Sequence, residues 1–137
     1  MVARLTPYLS FTGNAREAME FYQTVFGGTL RMNTFGEYGN AGTDFADQIM
    51  HAQLEVDAGL TLMGSDTPAG MKTVTVGNNI TVALSGDDGD TLHGYWERLA
   101  APGTVSVPLE KQIWGDEYGA LVDQFGIEWM VNIEQPT

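Results

Sequence analysis

The chain has 137 residues, 43% apolar and 18% charged, which is the size and composition of one folded domain. It has no cysteine, so disulfides, thiolate catalysis, cysteine-bound zinc and iron–sulfur clusters are excluded. Eighteen acidic residues against six basic give a net charge of −12. Six scattered cations form no patch for a polyanion, so neither nucleic acid nor an anionic membrane is an expected partner.

The N-terminal segment lacks the apolar stretch of about 7–15 residues that marks a signal peptide. No later run approaches the roughly 18 apolar residues of a membrane span, and the expected location is the cytoplasm. Residues 5–11 read as a short strand in which Leu9 and Phe11 alternate with Tyr8 and Ser10. Gly13-Asn14 breaks it. Asn14 is placed to cap a helix over residues 15–26, with Glu17 completing a capping box. Ala18, Phe21, Tyr22 and Val25 form its apolar stripe, and Gly27-Gly28 ends it.

A second strand is predicted over residues 29–35, then a polar loop over 36–47. Residues 50–56 alternate, with Met50, Ala52, Leu54 and Val56 on one face and His51, Gln53 and Glu55 on the other. Asp57-Ala58-Gly59 turns the chain into a hairpin partner over 60–63, followed by a linker over 65–77. The order then restarts. Residues 79–84 form a strand with Ile80, Val82 and Leu84 on one face, and 91–100 a helix ended by Pro102-Gly103. A strand follows over 104–107, then a loop over 108–115 containing Trp114. A final hairpin pairs 119–123 with 127–133.

The chain therefore reads β-α-β-β-β twice within one domain, residues 1–137, as a first module over about 1–70 and a second over about 71–137. Residues 6–11 overlay 79–84, Phe21-Tyr22 overlays Tyr95-Trp96, and Gly59-Leu60-Thr61-Leu62-Met63 overlays Gly126-Ile127-Glu128-Trp129-Met130. A period this long fits two half-domains rather than a solenoid.

Several segments carry a family resemblance. They are Pro7-Tyr8-Leu9-Ser10-Phe11, Gly13-Asn14-Ala15, Phe21-Tyr22 with Phe26-Gly27-Gly28, His51, Leu62-Met63-Gly64-Ser65-Asp66, Trp114-Gly115 with Tyr118-Gly119, and Asp123-Gln124-Phe125-Gly126-Ile127-Glu128-Trp129. Together they resemble a PhnB-like protein of the vicinal-oxygen-chelate superfamily, the group of glyoxalase I, bleomycin-resistance proteins and extradiol dioxygenases. The resemblance covers nearly the whole chain. It implies an α+β fold of two βαβββ modules whose curled mixed sheets surround a cavity, and a homodimer. Some members are named after a ubiquinone-pathway methyltransferase, but no Gly-rich strand–turn–helix segment for a nucleotide-like cofactor occurs here.

Metal-dependent members of the superfamily hold a divalent ion with His, Glu or Gln from the first and last strands of each module. Carried over, those positions are Thr6 (or Pro7), Met63, Asn79 and Met130. Two thioethers and neutral oxygens do not suit a hard divalent cation, so no metal or other cofactor is expected at the inherited site. If the apolar strand faces pack on the helices, the opposite faces line the cavity. Those faces carry Tyr8, Ser10, His51, Gln53, Glu55, Thr61, Met63, Thr81, Ala83, Glu128, Met130 and Asn132. Of these, Tyr8, His51, Gln53, Met63, Glu128 and Met130, with Trp114 as a lid residue, are the candidate ligand-binding groups.

His51 and Glu128 are the candidates for acid–base chemistry. The favoured structural reading of His51 is a hydrogen-bonded imidazole and the default reading of Glu128 is an edge or solvent-facing carboxylate, while Trp114 reads equally as cover for the core edge. His93 reads as solvated. The expected function is binding of a small hydrophobic or aromatic ligand without the superfamily's metal. The alternative is a metal-dependent lyase, isomerase or dioxygenase with a relocated site around His51 and Glu128. Whether the protein is an enzyme stays open at this level, because no Gly-x-Ser-x-Gly, phosphate-loop or His-Glu-x-x-His motif occurs.

Overall fold

Strand β1 (Tyr8–Phe11) buries Leu9 and Phe11 and turns Tyr8 and Ser10 outward, as its alternation predicts. The computed structural model describes residues 3–57 and 59–136. Helix α1 (Ala15–Phe26) follows and buries Ala15, Ala18, Met19, Tyr22, Val25 and Phe26. Phe21, expected on the apolar stripe, is only half-buried.

The expected capping box does not form. The Asn14 side chain makes no capping bond. Instead Asp66, a buried carboxylate, accepts the N–H groups of Gly13 and Ala15 on Oδ1 at 2.8 and 2.9 Å. Its Oδ2 accepts the Ile49 N–H at 2.9 Å. A charged acceptor delivered by a strand replaces the local cap.

The first module continues with β2 (Thr29–Thr34), β3 (Ile49–Val56) and β4 (Leu60–Asp66). The loop between β2 and β3 includes a short 3-10 turn, Gly36–Tyr38. Sheet order is β1-β4-β3-β2, with β1 parallel to β4 and the other pairs antiparallel. Strand β4 runs three residues past the predicted end, because the parallel ladder with β1 continues to Phe11 beside Asp66. Ala58 of the predicted turn lies outside the described residues.

Strand β3 also departs from the expected pattern at its start. Asn33 faces His51 but Thr34 faces Ile49, so a bulge inserts Met50 and shifts the side-chain alternation. Ile49 takes the core position and Met50 is half-buried. Beyond the bulge the predicted faces hold: Ala52 and Leu54 are fully buried, and α1 packs over them and over parts of β2 and β4.

The second module has β5 (Val82–Gly86), α2 (Gly89–Ala100), β6 (Thr104–Lys111), β7 (Glu117–Val122) and β8 (Glu128–Ile133). Its sheet order, β5-β8-β7-β6, is that of the first sheet, and β5 runs parallel to β8. The core places Leu92, Tyr95 and Leu99 of α2 against Leu84, Leu121, Trp129, Val131 and Ile133. A Cβ on Gly119 would stand 2.7 Å from the Trp96 ring, so α2 packs directly on the backbone of β7. At the β7–β8 turn, buried Asp123 accepts the N–H groups of Phe125 and Ile127 and the Trp129 indole N–H.

Four expectations for this module are corrected. Ile80 is 79% exposed and precedes β5, because the ladder begins at Val82 beside Trp129. Residues 108–111 continue β6 rather than forming a loop. Pro108 is tolerated there because β6 is an edge strand and its register shifts between Val107 and Glu110. The overlay of first strands moves by two residues, since Tyr8 beside Met63 is matched by Ala83 beside Met130. An even shift preserves the face of every side chain. By burial, Tyr22 answers to Tyr95 rather than to Trp96.

The chain divides into units Met1–Thr75 and Val76–Thr137. No helix among the described residues is long and apolar enough to cross a membrane.

Candidate functional site

Each sheet has one face under its helix and one face open to other use. In the first module, strand pairing sets Tyr8, Met63, Gln53 and Arg31 in one row across the open face. Beside that row, Ser10 faces Ser65 and Asn33 faces His51. On the other side Thr61, Glu55 and Thr29 continue across three strands.

The Tyr8 hydroxyl lies 3.3 Å from His51 Nδ1, with the rings 5.8 Å apart and tilted by 31°. With a neutral imidazole protonated on Nε2, Tyr8 donates to Nδ1; with an imidazolium, Nδ1–H donates to the phenol oxygen. Gln53 donates its Nε2–H to Glu55 Oε1 in a short hydrogen bond. This carboxylate, absent from the predicted ligand-binding set, thus orients an amide that belongs to it. Met63 stands half-buried between Tyr8 and Gln53 and gives the row a soft apolar centre.

Glu37 in the 3-10 turn accepts Asn33 Nδ2–H and the Thr34 N–H. These bonds, the Asn33 side chain foremost, hold its carboxyl below the usual carboxylate range. Asn33 is thereby tethered beside His51. A separate groove of about 630 Å³ runs along α1, lined by Asn14, Phe21, Gln48 and Ile49 among others. It lies on the helix side of the sheet.

In the second module, Met130 sits between Ala83 and Ala120, and Glu128 faces Val122. Glu128 Oε2 is buried without a hydrogen-bond partner. Trp114 is 60% exposed in the turn between β6 and β7, its ring 6.2 Å from that of Tyr118. Asn132 donates to Asp116 Oδ2 at 3.0 Å. His93, expected in solvent, is partly so, but its Nε2 lies 3.2 Å from Glu117 Oε1. Of the predicted ligand-binding residues, Tyr8, His51, Gln53 and Met63 share the first module's open face. Glu128, Met130 and Trp114 belong to the second module.

The inherited metal positions do not form a fitting donor set. Thr6, Pro7 and Asn79 precede the strands, and the residues in register with Met63 and Met130 are Tyr8 and Ala83. Two thioethers, a hydroxyl and an amide carry no charge to offset a hard cation's dehydration. Among the described residues no group of three His, Cys, Asp or Glu side chains could hold a metal ion. Sequence reasoning missed Arg31. Its signal was the alternation Leu30-Arg31-Met32, where Leu30 and Met32 pair with buried Leu54 and Ala52 and so send Arg31 to the open face.

Two βαβββ modules of this topology define the glyoxalase/bleomycin-resistance/dioxygenase fold, that of the vicinal-oxygen-chelate superfamily. Residues 3–132 match the family model described as 3-demethylubiquinone-9 3-methyltransferase, and the chain belongs to that PhnB-like family. Protein YjdN of Escherichia coli is 30% identical, over 97% of this chain and 98% of its own. The crystal structure of protein PA1353 from Pseudomonas aeruginosa matches with a TM-score of 0.86 and 35% identity, over 98% of this chain and 100% of the other. A Bacillus cereus PhnB protein, titled a putative 3-demethylubiquinone-9 3-methyltransferase, matches with a TM-score of 0.74 and 21% identity, over 96% and 100%.

Proposed function

We propose that the protein binds an apolar or aromatic small molecule against the open faces of its sheets without the superfamily's divalent metal. His51 and Gln53 are the groups that orient a ligand on the first module's face, and Glu128 is the candidate for that role on the second module's face. The observation that carries this reading is the row Tyr8–Met63–Gln53, flanked by the Tyr8–His51 contact. A thioether floor between an aromatic ring and an amide suits a flat or aliphatic ligand, and the few polar groups fix its direction. The resemblance to the superfamily carries the fold, and sequestration rather than turnover is proposed by analogy with its drug-binding members. The resemblance also supports a homodimer, and the cytoplasm is the compartment proposed for it.

The experiment is a thermal-shift screen with aromatic and aliphatic compounds, since a ligand that binds only the folded state raises its melting temperature. A compound that stabilises the wild type but not a Met63→Glu variant supports the reading. A broad panel without any shift overturns it in favour of a scaffold without a ligand. Metal analysis of chelator-free protein tests the enzyme alternative. A stoichiometric ion that is lost in His51→Ala would establish a relocated metal site and overturn the metal-free reading.

A further inference from the structure

Arg31 occupies one end of the open-face row whose other end is Tyr8. It lies on β2, the edge strand of the first sheet, and is exposed. The chain holds six Lys and Arg residues against 18 Asp and Glu, yet no ion pair among the described residues engages this guanidinium. Glu55, the acid on the neighbouring strand, is hydrogen-bonded to Gln53 instead. Between Arg31 and Tyr8 the row offers Gln53 and the Met63 thioether. Three strand spacings separate its ends, about 14 Å between backbones.

We propose that the ligand is an amphipathic acid whose carboxylate, or a similar planar oxyanion, takes Arg31 while its aromatic or aliphatic body lies over Met63 toward the Tyr8–His51 pair. This rests on the ligand-binding reading above and adds the charge and the length of the ligand to it. A guanidinium presents paired N–H donors that match the two oxygens of a carboxylate, which an ammonium cannot do as well. The overall negative charge repels anions at long range, but salt screens that repulsion beyond about 8 Å at physiological ionic strength. Arg31 therefore governs at contact distance. A thioether surface bounded by a cation at one end and a phenol–imidazole pair at the other selects a molecule with one anionic end and a body long enough to span the row.

The test is calorimetric titration of the wild-type protein with a series of ω-phenylalkanoates, from phenylacetate to phenyloctanoate, and with the matching primary amides. The acids are expected to bind at least about tenfold more tightly than their amides, with affinity rising along the series as the ring reaches Tyr8. Arg31→Gln should erase the preference for acids, and Arg31→Lys should keep part of it. Arg31 is an exposed edge-strand residue, so both variants remain folded by circular dichroism. Acids and amides binding equally, or a preference that survives in Arg31→Gln, overturns the anionic-ligand inference and leaves the ligand-binding reading in place. If the wild type binds no member of either series, while other aromatic compounds shift its melting temperature, the anionic-ligand inference alone fails. If nothing shifts it, both fail.

Discussion

Asp66 Oδ1, at the end of β4, accepts the N–H of Ala15, the first residue of α1, at 2.9 Å. One carboxylate thus joins the start of the helix, the preceding Gly13 and the start of β3. Asp66→Ala leaves three N–H groups without their acceptor in a largely buried place. Each costs about 1–3 kcal/mol when unpaired, so a loss on the order of 3 kcal/mol or more is expected in urea unfolding. Asp66→Asn keeps one acceptor oxygen and should cost less. Equal, small effects for both variants would contradict the anchoring role.

Gly27 and Gly28 both have positive φ, 76° and 88°, yet their surroundings differ. A Cβ on Gly27 meets nothing within 4 Å, whereas one on Gly28 would stand 2.2 Å from the Glu55 carbonyl oxygen. Gly27→Ala pays only backbone strain, about 1–3 kcal/mol. Gly28→Ala adds a backbone clash beside the first pair of the β2–β3 ladder, Thr29 with Glu55. Thermal melts should therefore rank Gly28→Ala well below Gly27→Ala, and the reverse order would refute the close approach.

The parts legible in the sequence were those governed by local period. His51, Gln53 and Glu55 share a face because Ala52 and Leu54 alternate with them, and this placed Tyr8, His51, Gln53 and Met63 together. Features set by distant partners were not legible. The true cap of α1 lies 51 residues from Ala15, while Asn14 and Glu17 offered a plausible local signature. The bulge at Met50 breaks the alternation from which it would have been read. Pro108 looks like a strand breaker unless β6 is already known to be an edge. Ile80 continues an apolar alternation, but no ladder partner reaches it.

The Tyr8–His51 contact joins β1 to β3 across β4, and its chemistry can be tested without a ligand. Tyr8 is 49% exposed, so Tyr8→Phe should change stability by no more than about 1 kcal/mol. The same variant should alter the ¹⁵N shift of His51 Nδ1 in a long-range ¹H–¹⁵N spectrum, because that nitrogen loses its phenol partner. An unchanged Nδ1 resonance would show that the hydroxyl and imidazole do not interact in solution.

Asp88 caps α2, accepting the Thr91 hydroxyl on Oδ2 at 2.7 Å and the Thr91 N–H on Oδ1 at 3.2 Å. Those bonds, the hydroxyl first, hold its carboxyl below the ordinary aspartate range. A carboxyl lowered on folding adds stability that is complete above its unfolded value, about 3.9. That stability is lost as pH falls through the lower folded value. The N-terminus of α2 should therefore loosen only in acid below about pH 4, read as lower amide protection factors, corrected for the intrinsic rate at each pH, at Thr91 and at Leu92, whose N–H donates to the Asp88 carbonyl at 3.0 Å. Asp88→Asn keeps a capping oxygen but cannot titrate, so its α2 terminus should lose this acid response. If the variant loosens in acid as the wild type does, another group controls the helix start.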